Sequence, residues 1–161
     1  MIFKKSNGLQ PMKDFKSLSF EEKLQVYRRL GCTVPPRKII KNAEQIQGIK
    51  KSAEINTAVL DHVSQHIRAG ISTEEINSMV HDFTVAHGAV PAPLNYEGFP
   101  KSVCTSINDE VCHGIPDKDI ILQEGDIINV DVSTILNGYF SDASRMFMIG
   151  KVDKKLQRLV K

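Results

Sequence analysis

The stretch INVDVSTILNGYFSDASRMF, residues 128–147, reads as two β-strands joined by a tight turn. Asn137-Gly138 at its centre is the strongest short-range hairpin signal, because a type I′ turn needs positive φ at both central residues. A two-residue loop sets the register, with Leu136 opposite Tyr139, Ser133 opposite Asp142 and Val132 opposite Ala143. Asp131, two residues before Ser133, then lies on the same face as Asp142 and diagonal to it. Strands disfavour aspartate, so two on one face need a physical reason. Diagonal partners sit roughly 7–8 Å apart at the backbone, near enough for the carboxylates to lean together. At that range they repel unless a proton or a cation lies between them. Three arrangements satisfy this: both side chains solvated on an exposed edge hairpin, a pair of hard oxygen ligands for a divalent metal, or an acid/base dyad sharing one proton. One rigid face favours the metal, although two aspartates alone do not close a site.

Working outward, the 161 residues are enough for one ordinary domain with a hydrophobic core, and 41% apolar with 25% charged residues is the balance of a globular protein rather than a disordered or fibrous one. A net charge of +2, spread along the chain, points to neither nucleic acid nor a strongly charged partner. Cys32, Cys104 and Cys112 form no CxxC pair and leave an odd thiol, as expected in a reducing compartment. With no signal-peptide core in MIFKKSNGLQPMKDF and no window of membrane-spanning length, the expectation is a cytoplasmic protein with no membrane partner.

Residues 1–40 read as an extension and linker: a short amphipathic helix around FEEKLQVYRRLG, then an extended run at Pro35-Pro36. A long helix is expected from Asn42, with Gln45 completing a capping box, to about Arg68, its stripe formed by Ile46, Ile49, Ala53, Leu60, Val63 and Ile67. A second helix follows the Ser72–Glu75 capping box, buries Ile76, Met79, Val80 and Phe83, and stops at Gly88. The loop PAPLNYEGFP leads to a strand in SVCTSIND, a turn-rich VCHGIPD, and a short strand and turn in DIILQEGD. Helices followed by strands suggest an α+β fold, two helices packed on an antiparallel or mixed sheet. A final helix, capped by Asp153 with Leu156, Leu159 and Val160 facing inward, meets no C-cap before Lys161 and reads as cut.

His113, followed by glycine in a loop, is the best histidine candidate for a ligand, general base or substrate hydrogen-bonder. His62, His66, His81 and His87 lie in the helices without an H-E-x-x-H pattern and read as solvated or capping residues. Tyr96, Phe99 and Cys104 flank the same loop and strand, where they could line an apolar pocket or simply join the core.

Taken together, NYEGFPKSVCTSINDEVCHGIPD and GDIINVDVSTILNGYFSDASRMF closely resemble the type I methionine aminopeptidases, pita-bread enzymes that remove the initiator methionine from new proteins; the match covers about residues 42–161. The resemblance implies that 41–161 is the N-terminal half of a catalytic domain, half of the pita-bread (creatinase/aminopeptidase) fold. It makes Asp131 and Asp142 ligands of a pair of divalent ions, manganese, iron, cobalt or zinc, and His113 a catalytic residue that hydrogen-bonds substrate and transition state. Tyr96, Phe99 and Cys104 would form the methionine pocket. The implied partners are nascent chains beginning with methionine, near the ribosome, and the implied state of the complete enzyme is a monomer.

Phe140, Ser141 and Glu97 stand where members often have histidine, glycine and histidine, which bears on substrate contacts rather than on metal ligands. Cys32 alone cannot make the zinc knuckle found in some relatives with long N-termini. The family takes a further histidine and two glutamates from about a hundred more residues, so this chain is expected to be truncated and inactive by itself. A non-catalytic pita-bread protein that binds peptides or partners is the reading from another class; the Xaa-Pro aminopeptidases and creatinases fit CHGIP and SVCTS poorly.

Overall fold

In the computed structural model, which describes residues 14–160, Asn137 and Gly138 carry φ of 51° and 81°, as a type I′ turn requires. Most of the N-terminal run read for a signal lies outside the described residues. The chain divides into two units, residues 1–41 and 42–161. The first holds α1 (Phe20–Arg29), opened by a capping box in which Ser19 N–H donates to Glu22 at 2.8 Å and Glu22 N–H to Ser19 Oγ at 3.3 Å. The Pro35-Pro36 run is irregular and is followed by a short 3₁₀ turn at Arg37–Ile39.

The second unit begins with α2 (Ala43–His66), capped by the reciprocal Asn42–Gln45 pair, and continues with α3 (Thr73–Ala86), capped by Ser72 and Glu75. Both boxes fall where the sequence places them. Gly70 at φ 89° turns the chain between the helices, and Gly88 at φ 74° follows α3. The sheet comprises β1 (Val90–Pro91), β2 (Cys104–Ile107), β3 (Ile127–Leu136) and β4 (Tyr139–Met148), and every pairing is antiparallel. β3 is the central strand: β4 runs along one edge for its full length, while β1 and β2 share the other edge at opposite ends. The chain then enters α4 (Lys154–Val160), where Asp153 accepts from Lys155 N–H at 2.8 Å.

Alternation along β3 separates two faces. Ile128, Val130 and Val132 point to the helices and are completely buried against Val59, Leu60, Val63, Ile76 and Val80. Each such side chain contributes about 1.5–3 kcal/mol by leaving water, so this face holds the unit together. Three expectations change. Leu159 of α4, expected to face inward, is 74% exposed. The strand expected in DIILQEGD is a single bridge, Ser72 to Ile121, because that segment runs along the α2–α3 connection, with Leu122 N–H donating to the Ile71 carbonyl at 2.9 Å. The inward stripe of α2 is also not wholly apolar: Ser52 and Asn56 are buried in it, whereas Ile46 is exposed.

Candidate metal centre

The face of the hairpin turned away from the helices carries Asp131 and Asp142. Cys104 pairs with Asp131, Ser144 lies across from Asp131 on the other side, and Ser133 lies opposite Asp142. This is the diagonal arrangement that the turn register implies. Ser133 Oγ donates to Asp142 Oδ1 at 2.5 Å, so one carboxylate oxygen is held and the other is left for a partner. Burial pushes the Asp131 carboxyl above the ordinary aspartate range; the Asp142 charge adds to the rise, and His113 opposes it. Burial also pushes the Cys104 thiol up to about 11, with Asp131, Cys112 and Asp142 adding to it. Cys104 is thus a neutral thiol beside two carboxylates rather than a nucleophile.

His113 reaches this face through the loop after β2. Asn108, at φ 54°, starts the loop; its side-chain Nδ2 donates to Asp126 Oδ1 at 2.9 Å and its Oδ1 accepts from Ile127 N–H at 3.1 Å. The loop returns alongside β2, where Thr105 N–H donates to the Gly114 carbonyl at 2.9 Å and Gly114 N–H to Ser106 Oγ at 3.2 Å. A Cβ on Gly114 would overlap the Thr105 carbonyl oxygen, so only glycine permits this approach. Next to it, His113 takes a left-handed φ of 58°, a conformation costing a non-glycine residue about 1–2 kcal/mol. Strain of this kind collects at functional positions.

β2 itself is tied to α3. Ser102 N–H donates to Asn77 Oδ1 at 2.8 Å, and His81 Nδ1 shares a 2.9 Å hydrogen bond with Ser102 Oγ. His81 therefore anchors the approach to Cys104 rather than being solvated or capping a helix. His66 and His87 do turn Nδ1 to the carbonyls four residues back, at 2.8 and 2.7 Å.

The pocket candidates are less uniform. Tyr96 is 68% exposed in a strained turn, with Asn95 at φ 66° and Glu97 at φ 48°, while Phe99 is half-buried and returns a hydrogen bond to the Tyr96 carbonyl at 2.9 Å. Among the described residues, no hydrogen bond or ring contact joins either of them to Asp131, Asp142 or His113. The structure thus sets Cys104 across from Asp131, Asp142 diagonal to it and His113 within electrostatic reach of it, and no described contact joins Tyr96 or Phe99 to them. Among the described residues no third acidic, histidine or cysteine side chain completes a metal-holding group.

A family model for metallopeptidase family M24 matches residues 47–161. The chain belongs to that family. Of the curated relatives, methionine aminopeptidase A of Synechocystis sp. is 47% identical over 117 residues, which are 73% of this chain and 46% of that protein. A methionine aminopeptidase of Buchnera aphidicola is 48% identical over 76% of this chain and 47% of its own. The crystal structure of methionine aminopeptidase from Rickettsia prowazekii aligns at a TM-score of 0.73 with 43% identity, covering 75% of this chain and 48% of that one. Xaa-Pro dipeptidase from Bacillus anthracis, at 20% identity and a TM-score of 0.65, shares the fold. This chain spans less than half the length of the curated relatives it matches. These structural neighbours bear out the expected half pita-bread arrangement. No described helix is long and apolar enough to cross a membrane.

The donor set fits a divalent cation. A half-buried carboxyl raised by burial and by a like charge, and only partly relieved by His113, stands beside a second hard oxygen donor on the same face of the hairpin, which is the chemistry a divalent cation would satisfy. Sequence reasoning passed over Ser133, although the register already put it opposite Asp142, and gave no role to Ser52 and Asn56.

Proposed function

We propose that this segment carries the first half of the active centre of a methionine aminopeptidase, with Asp131 and Asp142 as the residues that would hold a pair of divalent ions. The observation that carries this reading is the diagonal pair of carboxylates on one rigid face, in an M24 chain 47–48% identical to methionine aminopeptidases. Ions held there would supply Lewis acidity and would lower the pKa of a bound water. The chain's own residues orient the reaction. Ser133 fixes the angle of Asp142, and the strained loop presents His113 as a hydrogen-bond donor to the oxygen on which charge develops at the scissile carbonyl. Cys104, kept neutral, offers a small polarizable surface for a thioether side chain, and Tyr96 and Phe99 supply the remaining apolar surface of the methionine pocket.

Substrates are nascent chains with N-terminal methionine in the cytoplasm near the ribosome, and manganese, iron or cobalt suits an oxygen-rich site. Two carboxylates hold such ions weakly, so the 161 residues alone are inactive, and the complete enzyme, which acts as a monomer, takes its remaining ligands from further sequence. The test is release of methionine from a methionyl tripeptide with added Mn²⁺ or Co²⁺. A longer protein containing this segment should turn over and should lose at least about a hundredfold in kcat on Asp131→Asn, since second-sphere changes alone cost 10–100-fold. Undiminished turnover by Asp131→Asn, or robust turnover by the 161 residues alone, contradicts this reading.

A further inference from the structure

Behind the hairpin, on the face away from Asp131 and Asp142, four buried polar side chains meet: Ser52 and Asn56 of α2, Thr134 of β3 and Ser141 of β4. Ser52 and Asn56 are four residues apart and therefore point the same way. Ser52 Oγ lies 3.0 Å from Ser141 Oγ and 3.1 Å from Thr134 Oγ1, and these two hydroxyls are 2.8 Å apart. Asn56 Nδ2 donates to two backbone carbonyls, Val132 at 2.6 Å and Ser141 at 3.3 Å. Val132 follows Asp131 in the chain, and Ser141 precedes Asp142. A single amide thus bridges the two strands at the level where they carry the carboxylates.

Packing does not account for this residue. Asn56 is 1% exposed and its Oδ1 has no hydrogen-bond partner, a cost that alanine or leucine would avoid. Its orientation is not arbitrary either, since turning the amide over would set Oδ1 against two carbonyl oxygens.

The geometry points to Asn56 as a positioning residue: by clamping the Val132 and Ser141 carbonyls it sets the separation and tilt of Asp131 and Asp142, and with them the affinity of the opposite face for a divalent ion. The inference rests on the metal role proposed for the two aspartates. It is tested by titrating a longer protein containing this segment with Mn²⁺, reading bound ion by electron paramagnetic resonance, well below the unfolding temperature. Asn56→Ala should weaken Mn²⁺ binding about tenfold, the effect expected when support for a ligand is lost. Asn56→Ser, which keeps a donor but reaches one carbonyl at most, should fall between it and the parent and serves if the alanine variant does not fold. Val59→Ala, a core truncation on the same helix that touches neither carbonyl, should lower the melting temperature and leave Mn²⁺ affinity within about twofold. Unchanged affinity in a folded Asn56 variant, or an equal loss in Val59→Ala, overturns the positioning role. A parent form of that longer protein that binds Mn²⁺ no better than its Asp131→Asn variant overturns the metal reading and this inference with it.

Discussion

His62 lies against other aromatic rings: its centroid is 4.5 Å from His66 and 4.9 Å from Phe83, and Phe83 stacks on His87 at 4.0 Å. Burial, then the charges of His66 and His87, hold its pKa below the ordinary 6.5. The unfolded chain therefore takes up a proton near pH 6.5 that the folded chain declines until lower pH, so stability falls as pH drops below about 6.5 and levels off beneath the folded pKa. The midpoint of urea unfolding should fall between pH 7.5 and 5.5, and His62→Gln should flatten that dependence; parallel curves for the two proteins would contradict it. Residues differ in how plainly the sequence displays them. Asp131 and Asp142 are visible because turn chemistry counts the register for the reader, and His113 because glycine beside it marks a loop. Asn56 is invisible, since its partners are backbone carbonyls 76 and 85 positions away and its place on the helix matches an ordinary exposed polar residue.

At the scale of elements, the hairpin and the helices are legible from local signals, the type I′ turn and the capping boxes that begin α2 and α3. What is not legible depends on distant partners. DIILQEGD has the composition of a strand, but its hydrogen bonds go to the α2–α3 connection and leave a single bridge. Gly138 is the element's most demanding position, since φ of 81° penalises any side chain even though nothing lies within 4 Å of an added Cβ. Gly138→Ala should cost about 1–2 kcal/mol through backbone strain alone, measured by chemical denaturation. A neutral substitution would show that the turn relaxes to another type, and the register would then need to be determined again.

For the whole second unit, the sheet is closed on one side and open on the other. β4 hydrogen-bonds only to β3 among the described strands, so its outer edge runs unpaired for its ten residues. On the face away from the helices it exposes Phe140 at 62% and Met148 at 41%. A long edge with apolar side chains recruits other strands. The 161-residue chain should therefore sediment with a mass that rises with concentration, and Phe140→Lys should suppress the rise by placing charge beside that edge; a constant monomer mass for the parent would contradict this. The same division of the sheet sorts the positions of this chain by what selection can ask of them. Side chains facing α2 and α3 carry the free energy of folding, while the alternate side chains of the same strands carry the candidate chemistry. Successive residues of one ten-residue strand thus answer to different pressures, and specificity at the open face can drift without spending the stability held at the closed one.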